Sequence, residues 1–364
     1  MPKHSLRLAL VLLLAVTVLS PAKSSAQTRF PRLARQNSGT TEGLIAVSPV
    51  NSKVVWASGR HGTYTVTTDG GKTWRAGQVP GAKWLQFRDV QGVSDKVAYL
   101  QSIGDHTGSF RIYKTEDGGQ TWTMQFRNEL AGAFYDCFAF WTPTRGISHS
   151  DSVSGVFPDI RTLNGTTWES IANNMPPALD GEASFAASGT CVATEGVGNA
   201  WIATGGAAIA RVLATTDGGD SWAAYDTPLV SSPSAGAFTV DFRDATNGIV
   251  GGGDLDPSDP DSARTAFSPD GGHTWTLTTA PPVTGAIFGL SYVRKIKGCR
   301  DQKCDDVARY VVVTANSGGA AWTPDEGTTW YVLPGVSGCW AVAFANPASG
   351  WLVGTNGQIV KISF

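Results

Sequence analysis

One eight-residue motif recurs along this chain at intervals of about fifty residues. Its copies are TTDGGKTW, TEDGGQTW, RTLNGTTW, TTDGGDSW, SPDGGHTW and TPDEGTTW, ending at Trp74, Trp122, Trp168, Trp222, Trp275 and Trp330. By subtraction, these tryptophans are 48, 46, 54, 53 and 55 residues apart. A period of this size is typical of repeat proteins in which each repeat is one supersecondary unit.

Each residue type in this corner motif has a physical role. The aspartate can accept backbone N–H bonds across a tight turn, and the glycine after it adopts backbone angles that other residues resist. The tryptophan begins the next strand and packs its ring against the sheet. The copy RTLNGTTW is degraded, because Leu163 stands at the aspartate position. The motif therefore predicts a β-hairpin corner, and its first role is structural.

Between the corners the same order of short strands and turns recurs. Segments 85–88, 133–141, 237–243 and 339–345 are predicted first strands, and the turns after them are DVQG, TPTRG, DATNG and NPASG. After the sixth corner motif a unit with only three strands follows, CWAVAF, GWLVG and QIVKISF. We expect segment 30–36 to supply its fourth strand. The prediction is an all-β, seven-bladed β-propeller of four-stranded antiparallel blades, closed by the N-terminal strand.

The repeat resembles the Asp-box of bacterial neuraminidase repeats, which sialidases, sortilin-type receptors and photosystem II assembly factors share. The resemblance covers nearly the whole chain after its first segment and implies the propeller fold. The chain is similar in particular to exported relatives of the photosystem II stability and assembly factors, whose propellers dock partner proteins. Fold alone does not determine function.

The first residues have the pattern of a signal peptide. Lys3 and Arg7 precede the apolar run 8–19, and small residues lead to a predicted cleavage site after Ala26. We therefore expect residues 1–26 to be removed and residues 27–364 to form a single propeller domain, periplasmic or extracellular. No other run is long and apolar enough to anchor the chain in a membrane.

Charge and cysteine content narrow the classes of partner. Of 28 basic residues, three lie in the predicted signal peptide, which leaves 25 against 30 acidic ones, so nucleic acid is not an expected partner. The chain has five cysteines. Cys299 and Cys304 flank a short loop and are predicted to pair, whereas Cys137, Cys191 and Cys339 are interpreted as buried thiols. No cofactor or metal motif is present, and we expect a monomer.

Candidate binding residues cluster on the face that carries the loops between second and third strands. Counting back six residues from three corner aspartates gives arginine each time, and Arg60 lies in an equivalent loop. The candidate ligand- or partner-binding residues are Arg60, His61, Asp105, Arg111, Arg211 and Arg264. One hypothesis is that the arginines form a basic arc that binds an acidic segment or another anion, because guanidinium groups pair with carboxylates and phosphates. Alternatively, each arginine pairs with a carboxylate of a neighbouring blade.

Two functions remain open at this stage. The favoured one is a non-enzymatic module that binds a protein partner, or an anionic or carbohydrate ligand. The other, which the resemblance to sialidases implies, is a glycoside hydrolase with Tyr135, Asp136, Asp151 and Glu182 as candidate catalytic residues. The sialidase FRIP motif is absent, which counts against catalysis. The pairs Arg88-Asp89 and Arg243-Asp244 are predicted to cap turns.

Overall fold

The computed structural model describes residues 1, 30–104, 106–256, 263–293, 307–315 and 317–364. In these ranges the chain forms seven four-stranded sheets. Neighbouring strands within every sheet are antiparallel. The predicted all-β, seven-bladed architecture is confirmed.

The strands that build the blades are short. The N-terminal strand is β1 (Arg32–Asn37). Blade 1 contains β2 (Leu44–Pro49), β3 (Val55–Gly59), β4 (Thr63–Thr67) and β5 (Arg75–Gln78). Blade 2 contains β6 (Gln86–Gly92), β7 (Ala98–Ile103), β8 (Arg111–Thr115) and β9 (Thr123–Arg127). Blade 3 contains β10 (Tyr135–Thr142), β11 (Arg145–Ser150), β12 (Ile160–Thr162) and β13 (Glu169–Ser170).

The remaining blades follow the same order. Blade 4 contains β14 (Val192–Glu195), β15 (Asn199–Thr204), β16 (Arg211–Thr215) and β17 (Ala223–Asp226). Blade 5 contains β18 (Ala235–Phe242), β19 (Gly248–Asp254), β20 (Thr265–Ser268) and β21 (Thr276–Leu277). Blade 6 contains β22 (Gly289–Tyr292), β23 (Val311–Thr314), β24 (Ala320–Thr323) and β25 (Tyr331–Val332). Blade 7 contains β26 (Cys339–Asn346), β27 (Ser349–Gly354), β28 (Gln358–Ser363) and, at its outer edge, β1. Two short 3-10 turns are Ala172–Asn174 and Thr355–Gly357.

The first strand of each blade contacts the first strand of the next, and the last of these contacts the first, so the blades form a closed ring. Strand β1 closes it, since Arg32 pairs with Ser363 and Asn37 with Gln358. The side chain of Gln36 strengthens this closure. Its Oε1 accepts from the indole N–H groups of Trp74 (3.1 Å) and Trp351 (3.2 Å), which lie in blades 1 and 7. The predicted closure by the N-terminal strand is confirmed.

Aromatic side chains fill the spaces between neighbouring blades. Trp201 of blade 4 stacks on Phe242 of blade 5 with ring centroids 3.6 Å apart. Tyr99 of blade 2 stacks on Phe140 of blade 3 at 4.5 Å. Because such rings remove large apolar areas from water, the packing between blades stabilises the ring as a whole.

Each corner motif joins the third and fourth strands of its blade, on the face opposite the loops between second and third strands. In blade 4, Asp217 Oδ1 accepts from the backbone N–H of Ser221 (3.0 Å), and Oδ2 accepts from the Ser221 hydroxyl (2.6 Å). Burial acts to raise the pKa of Asp217, but the hydrogen bonds from Ser221 and Thr215 outweigh it and lower the pKa to about 2. The corner aspartate thus caps the turn as its ionised form.

The degraded corner of blade 3 keeps this cap through a different residue. Asn164 Oδ1 accepts from the backbone N–H groups of Thr166 (2.8 Å) and Thr167 (2.9 Å). Leu163, at the aspartate position, is exposed. An amide oxygen one residue later therefore replaces the carboxylate, which the aligned sequence did not predict.

Two cysteines that were predicted to be free thiols form a disulfide. Cys137 in β10 bonds Cys191, immediately before β14, and joins blades 3 and 4. Cys339 is a buried free thiol, as predicted. Cys299 and Cys304, like residues 2–29 with the predicted signal peptide, lie outside the described residues. Within the described ranges there is no helix with the length and hydrophobicity that crossing a bilayer requires.

Candidate functional site: a pocket on the propeller axis

A β-bulge occurs near the start of the first strand in five blades. Each bulge interrupts the pairing register at a single residue. The bulged residues are Ile45, Arg88, Asp136, Phe238 and Trp340 of blades 1, 2, 3, 5 and 7. A bulge bends its strand and re-aims a side chain, and bulges are frequent beside functional sites. Four of these five side chains, all except Ile45, line one cavity together with Phe288, which directly precedes the first strand of blade 6.

Blade 4 departs from the pattern by an insertion. Ala183 bridges Gly205, and the pairing resumes where the Ala203 N–H donates to Cys191 O, so residues 184–190 leave the sheet between these points. We call residues 184–190 the axial insertion. It is held by other blades, because Arg88 Nη1 donates to Ala186 O (2.6 Å) and the Val240 N–H donates to Thr190 O (3.0 Å).

The axial insertion separates two cavities on the ring axis. Toward the face with the corner motifs, Ser188, Gly189 and Thr190 help to line a cavity of about 280 Å³. Toward the opposite face, Phe185 and Ala186 line a cavity of about 380 Å³, which we call the axial pocket. The axial pocket lies on the face where sequence analysis placed the candidate binding residues.

Four aromatic side chains form an arc along one side of the axial pocket. Phe185 stacks on Phe238 with ring centroids 3.9 Å apart, and Phe288 stacks on Trp340 at 5.2 Å. Phe238 and Phe288 are nearly parallel at 6.1 Å. The guanidinium of Arg88 lies 5.2 Å from the centre of the Trp340 ring and ends the arc. Three of the four rings, Phe238 excepted, are only partly buried, so the pocket presents apolar surface to solvent.

Two carboxyl groups line the pocket beside this aromatic arc. Asp136 is 1% exposed, and Asp151 is half-buried with its Oδ1 accepting from the Ser184 N–H (2.8 Å). Burial raises the pKa of both groups, and for Asp136 the neighbouring charge of Asp151 raises it further. Among the residues that the structure describes, no N–H or hydroxyl group donates a hydrogen bond to Oδ2 of Asp136. Burial and the nearby charge of the Asp151 carboxyl both favour the protonated form of Asp136, so the pair favours holding one proton between them.

The other candidate catalytic residues do not converge on this pair. Tyr135 donates its hydroxyl to Pro158 O (2.7 Å) and stacks on Phe110. Glu182 is buried and accepts from Arg211 and from the Thr204 hydroxyl. The sialidase-type mechanism that the sequence resemblance implies uses a tyrosine nucleophile, and the hydroxyl of Tyr135 is instead hydrogen-bonded to a backbone carbonyl.

Two of the predicted arginines do not form an exposed basic arc. Arg211 is buried and makes a bidentate ion pair with Glu182, with Nε–Oε1 at 2.9 Å. Arg264 is 4% exposed, and its guanidinium donates to the backbone carbonyls of Pro281, Val283 and Gly285. Both hold the chain between blades, because a buried guanidinium is stable only when its N–H groups are paired. For Arg211 the structure shows the alternative hypothesis, pairing with a carboxylate, and the guanidinium of Arg264 is bound to backbone carbonyls instead of being available to a ligand.

Other predicted residues do lie on the pocket face. Arg60 is exposed, and His61 Nδ1 is 2.6 Å from Glu42 Oε2. Arg111 is half-buried, with its guanidinium 4.9 Å from the ring centre of the exposed Trp84. Asp105 lies outside the described residues. Among the described residues, no group of three or more acidic, histidine or cysteine side chains could hold a metal ion.

The turn-capping prediction holds for one of its two aspartates. Asp244 Oδ1 accepts from the backbone N–H groups of Thr246 and Asn247, as predicted. Asp89 instead lies inside β6, where Oδ2 accepts from the Phe138 N–H of the next blade (2.8 Å). Its structural counterpart is Asp241, because the next blade's Tyr292 N–H donates to Asp241 Oδ2 (2.9 Å).

Sequence analysis did not single out the aromatic arc. Its residues are not at a fixed distance from the corner motif: Trp340 follows Trp330 by 10 residues, whereas Phe238 follows Trp222 by 16, by subtraction. The available signal was the first strands themselves, since Phe238 and Trp340 each directly follow the first residue of a predicted first strand.

The fold and this pocket define a class: a closed seven-bladed propeller with an apolar, acid-lined cavity on its axis. Among solved structures, that of YCF48 bound to a D1 peptide is similar over 93% of this chain and 98% of its own, at 15% identity and a TM-score of 0.60. YCF48 from Cyanidioschyzon merolae is similar over 91% and 98%, at 17% identity and a TM-score of 0.62. The WD40 propeller domain of Doa1 is similar over 91% and 97%, at 11% identity and a TM-score of 0.55.

At these identities the similarity concerns the fold, and at that level the resemblance to photosystem II assembly factors is confirmed. The chain matches no protein-family model and no curated protein sequence.

Proposed function

We propose that this chain is an exported, non-enzymatic protein-binding module that accommodates a segment of a partner protein in its axial pocket. The observation that carries the proposal is the pocket itself, about 380 Å³ in volume, lined by the partly exposed aromatic arc and two carboxyls. Binding sites are commonly concave, mostly apolar cavities with a few convergent polar groups. The pocket of this chain has that composition.

The surroundings of the pocket also suit a protein partner. Trp84 is 58% exposed beside Arg111, and Leu255 is exposed at the pocket wall. Tryptophan and arginine are enriched among the residues that dominate protein interfaces. YCF48, whose propeller has the same fold, has been solved with a peptide of D1, which supports peptide binding as a use of this architecture. We assign no photosynthetic role.

Export to the periplasm or the cell exterior is the second part of the proposal. The disulfide between Cys137 and Cys191 supports it, since disulfides persist in oxidising compartments and are rare in the cytosol. Fractionation of the producing cells, with N-terminal sequencing of the mature protein, tests this part. We expect a mature chain that begins at Gln27, and an uncleaved cytosolic protein would contradict it.

Partner binding can be tested with two variants that alter opposite faces of the propeller. Phe288→Ser/Trp340→Ser removes half of the aromatic arc, whereas Leu163→Ser changes an exposed apolar residue on the opposite face. Immobilised wild type and both variants are incubated with an extract of the producing cells, and captured proteins are quantified by mass spectrometry. We expect the pocket variant to lose at least one captured protein by roughly tenfold, equivalent to about 1.4 kcal/mol.

Leu163→Ser should retain that protein. Equal capture by all three proteins would reject the pocket as the partner site. Circular dichroism and thermal unfolding establish that the pocket variant remains folded.

A further inference from the structure

The charges around the axial pocket indicate what kind of side chain it accepts. Asp136 and Asp151 carry two negative charges when both are ionised, and Arg88 supplies one positive charge beside them. Among these three groups, one negative charge is therefore left unbalanced. A proton held between the two carboxyls would balance this charge, and so would a bound cation, which would then replace the proton.

The shape of the pocket favours a long side chain with an apolar stem. Its walls include Leu255, Ile103 and the aromatic arc, and the least exposed polar group that lines it is Asp136. Oδ2 of Asp136 receives no N–H or hydroxyl donor from the described protein. A lysine or arginine side chain combines an aliphatic stem with a head group that only donates hydrogen bonds.

This inference rests on the proposed function. We propose that the axial pocket binds a lysine or arginine side chain of the partner protein. The stem packs against Leu255 and the aromatic arc, and the cationic head contacts Asp136 and Asp151. On binding, the proton shared by the two carboxyls leaves to bulk water. A neutral or anionic side chain would leave the acid pair protonated.

A third acidic residue, Asp254, lies next to the pocket. Asp254 lines a neighbouring cavity of about 210 Å³, which shares Leu255 and Phe288 with the axial pocket. Its Oδ1 accepts from the Ser234 hydroxyl (2.7 Å), and this hydrogen bond lowers the pKa of Asp254, so it is ionised at neutral pH. Asp254 provides a matched control, because it adds negative charge nearby without lining the axial pocket.

The test uses small probes, so that it does not depend on knowing the partner. Saturation-transfer NMR titrations of the intact protein compare N-α-acetyl-lysine amide and N-α-acetyl-arginine amide with N-α-acetyl-norleucine amide, which lacks the charged head. We expect at least one cationic probe to bind roughly tenfold more tightly than the neutral probe at pH 7. Asp136→Asn and, as a second variant, Asp151→Asn should each remove this preference, while Asp254→Asn should retain most of it.

The dependence on pH provides an independent measurement. The proton and the cation compete for the acid pair, so the affinity of the cationic probe should increase from pH 4 to pH 8, and that of the neutral probe should not change. The other charged groups near Asp136 are Arg88 on β6, with Arg60 beyond it, and Asp159, which lies 2.9 Å from His149. Because Asp136→Asn retains all of these groups, a pH dependence that they caused would persist in this variant.

The outcomes separate this inference from the proposed function. Equal affinity of cationic and neutral probes, or an unchanged preference in both aspartate variants, overturns the inference. If protein capture nevertheless depends on Phe288 and Trp340, the proposed function stands without it. If the cationic probe binds as expected but capture is independent of the pocket, the proposed function fails. Tighter binding of a sugar such as N-acetylglucosamine than of either cation also overturns the inference.

Discussion

At the scale of single residues, the corner aspartates combine a structural role with sensitivity to acid. Each carboxylate of these turns is held by hydrogen bonds from residues three or four positions later. Those bonds stabilise the ionised form, which is why the pKa values of Asp69, Asp117, Asp217 and Asp270 fall to about 2. A lowered pKa in the folded state couples turn stability to pH.

Replacing Asp217 by alanine should lower stability at neutral pH and have less effect in acid. The wild-type carboxylate contributes fully above its unfolded pKa of 3.8, and the contribution disappears as pH falls through its folded pKa of about 2. We expect a loss of roughly 1 kcal/mol at pH 7, limited because water competes for an exposed carboxylate. Thermal unfolding at pH 7 and pH 2 measures both values.

Asp217→Asn is the matched control for that substitution. Asn164 shows that an amide oxygen can cap such a corner, so the asparagine variant should be more stable than the alanine variant at pH 7. An alanine variant with the same unfolding midpoint as wild type at both pH values would contradict the assigned role.

Some residue roles were predictable because the repeat aligns them, and others were not. The capping role of the corner aspartates follows from their recurrence and the glycine beside them. The pairing of Arg211 with Glu182 was open between two hypotheses, since Glu182 lies in an irregular connection with no counterpart in other blades. Asp136 and Asp151 are neighbours at one end of the hairpin formed by β10 and β11, but Asp136 is a bulged residue, and the sequence spacing did not predict this bulge.

At the scale of elements, the sequence predicts strands better than their irregularities. The first strands were located because alternating apolar residues and turn signals recur. The DVQG segment was predicted as a turn, yet β6 continues through it to Gly92. The bulges and the axial insertion interrupt the pairing register of their blades, and their residues contact other blades, as in the hydrogen bond from Arg88 to Ala186 O. These contacts are long-range, so a local pattern contains no signal for them.

The disulfide between β10 and the start of blade 4 should stabilise the fold mainly by restricting the unfolded chain. Cys137 and Cys191 are 54 residues apart, and a loop of that length corresponds to about 4 kcal/mol. We expect Cys137→Ala/Cys191→Ala to lower the free energy of unfolding in urea by that order. Reductant should destabilise wild type similarly.

The double variant measured with reductant is the control for this prediction. Any effect of reductant that persists in the double variant arises from other cysteines. If wild type and the double variant unfold at the same urea concentration without reductant, the bond does not contribute as argued.

At the scale of the whole molecule, the ring is closed by strands from both ends of the chain. Joining Phe364 to Pro31 through a short Gly-Ser linker, and opening the chain between Gly196 and Val197, would move the closure from blade 7 to blade 4. Val197 is 72% exposed in the turn between β14 and β15. We expect the permuted protein to fold, with a free energy of unfolding lower by about 1–3 kcal/mol.

Circular dichroism and urea unfolding test this permutation. The contrasting variant deletes residues 31–37 from the original chain, which leaves β28 as an unpaired edge and removes the bonds of Gln36. We expect this variant to aggregate or to lose cooperative unfolding. A permuted protein that fails to fold would show that closure at blade 7 is specifically required.

The axial insertion forms the base of the pocket, whereas the loops between second and third strands form its rim. Residues 184–190 are bonded to blades 2, 3, 5 and 6, and Cys191 fastens their end covalently to blade 3. The rim, by contrast, consists of connections whose lengths differ from blade to blade. Under the proposed function, mutations that lengthen or exchange those connections would change which partners bind while the axial insertion stays unchanged. Selection would then diversify recognition without rebuilding the blades.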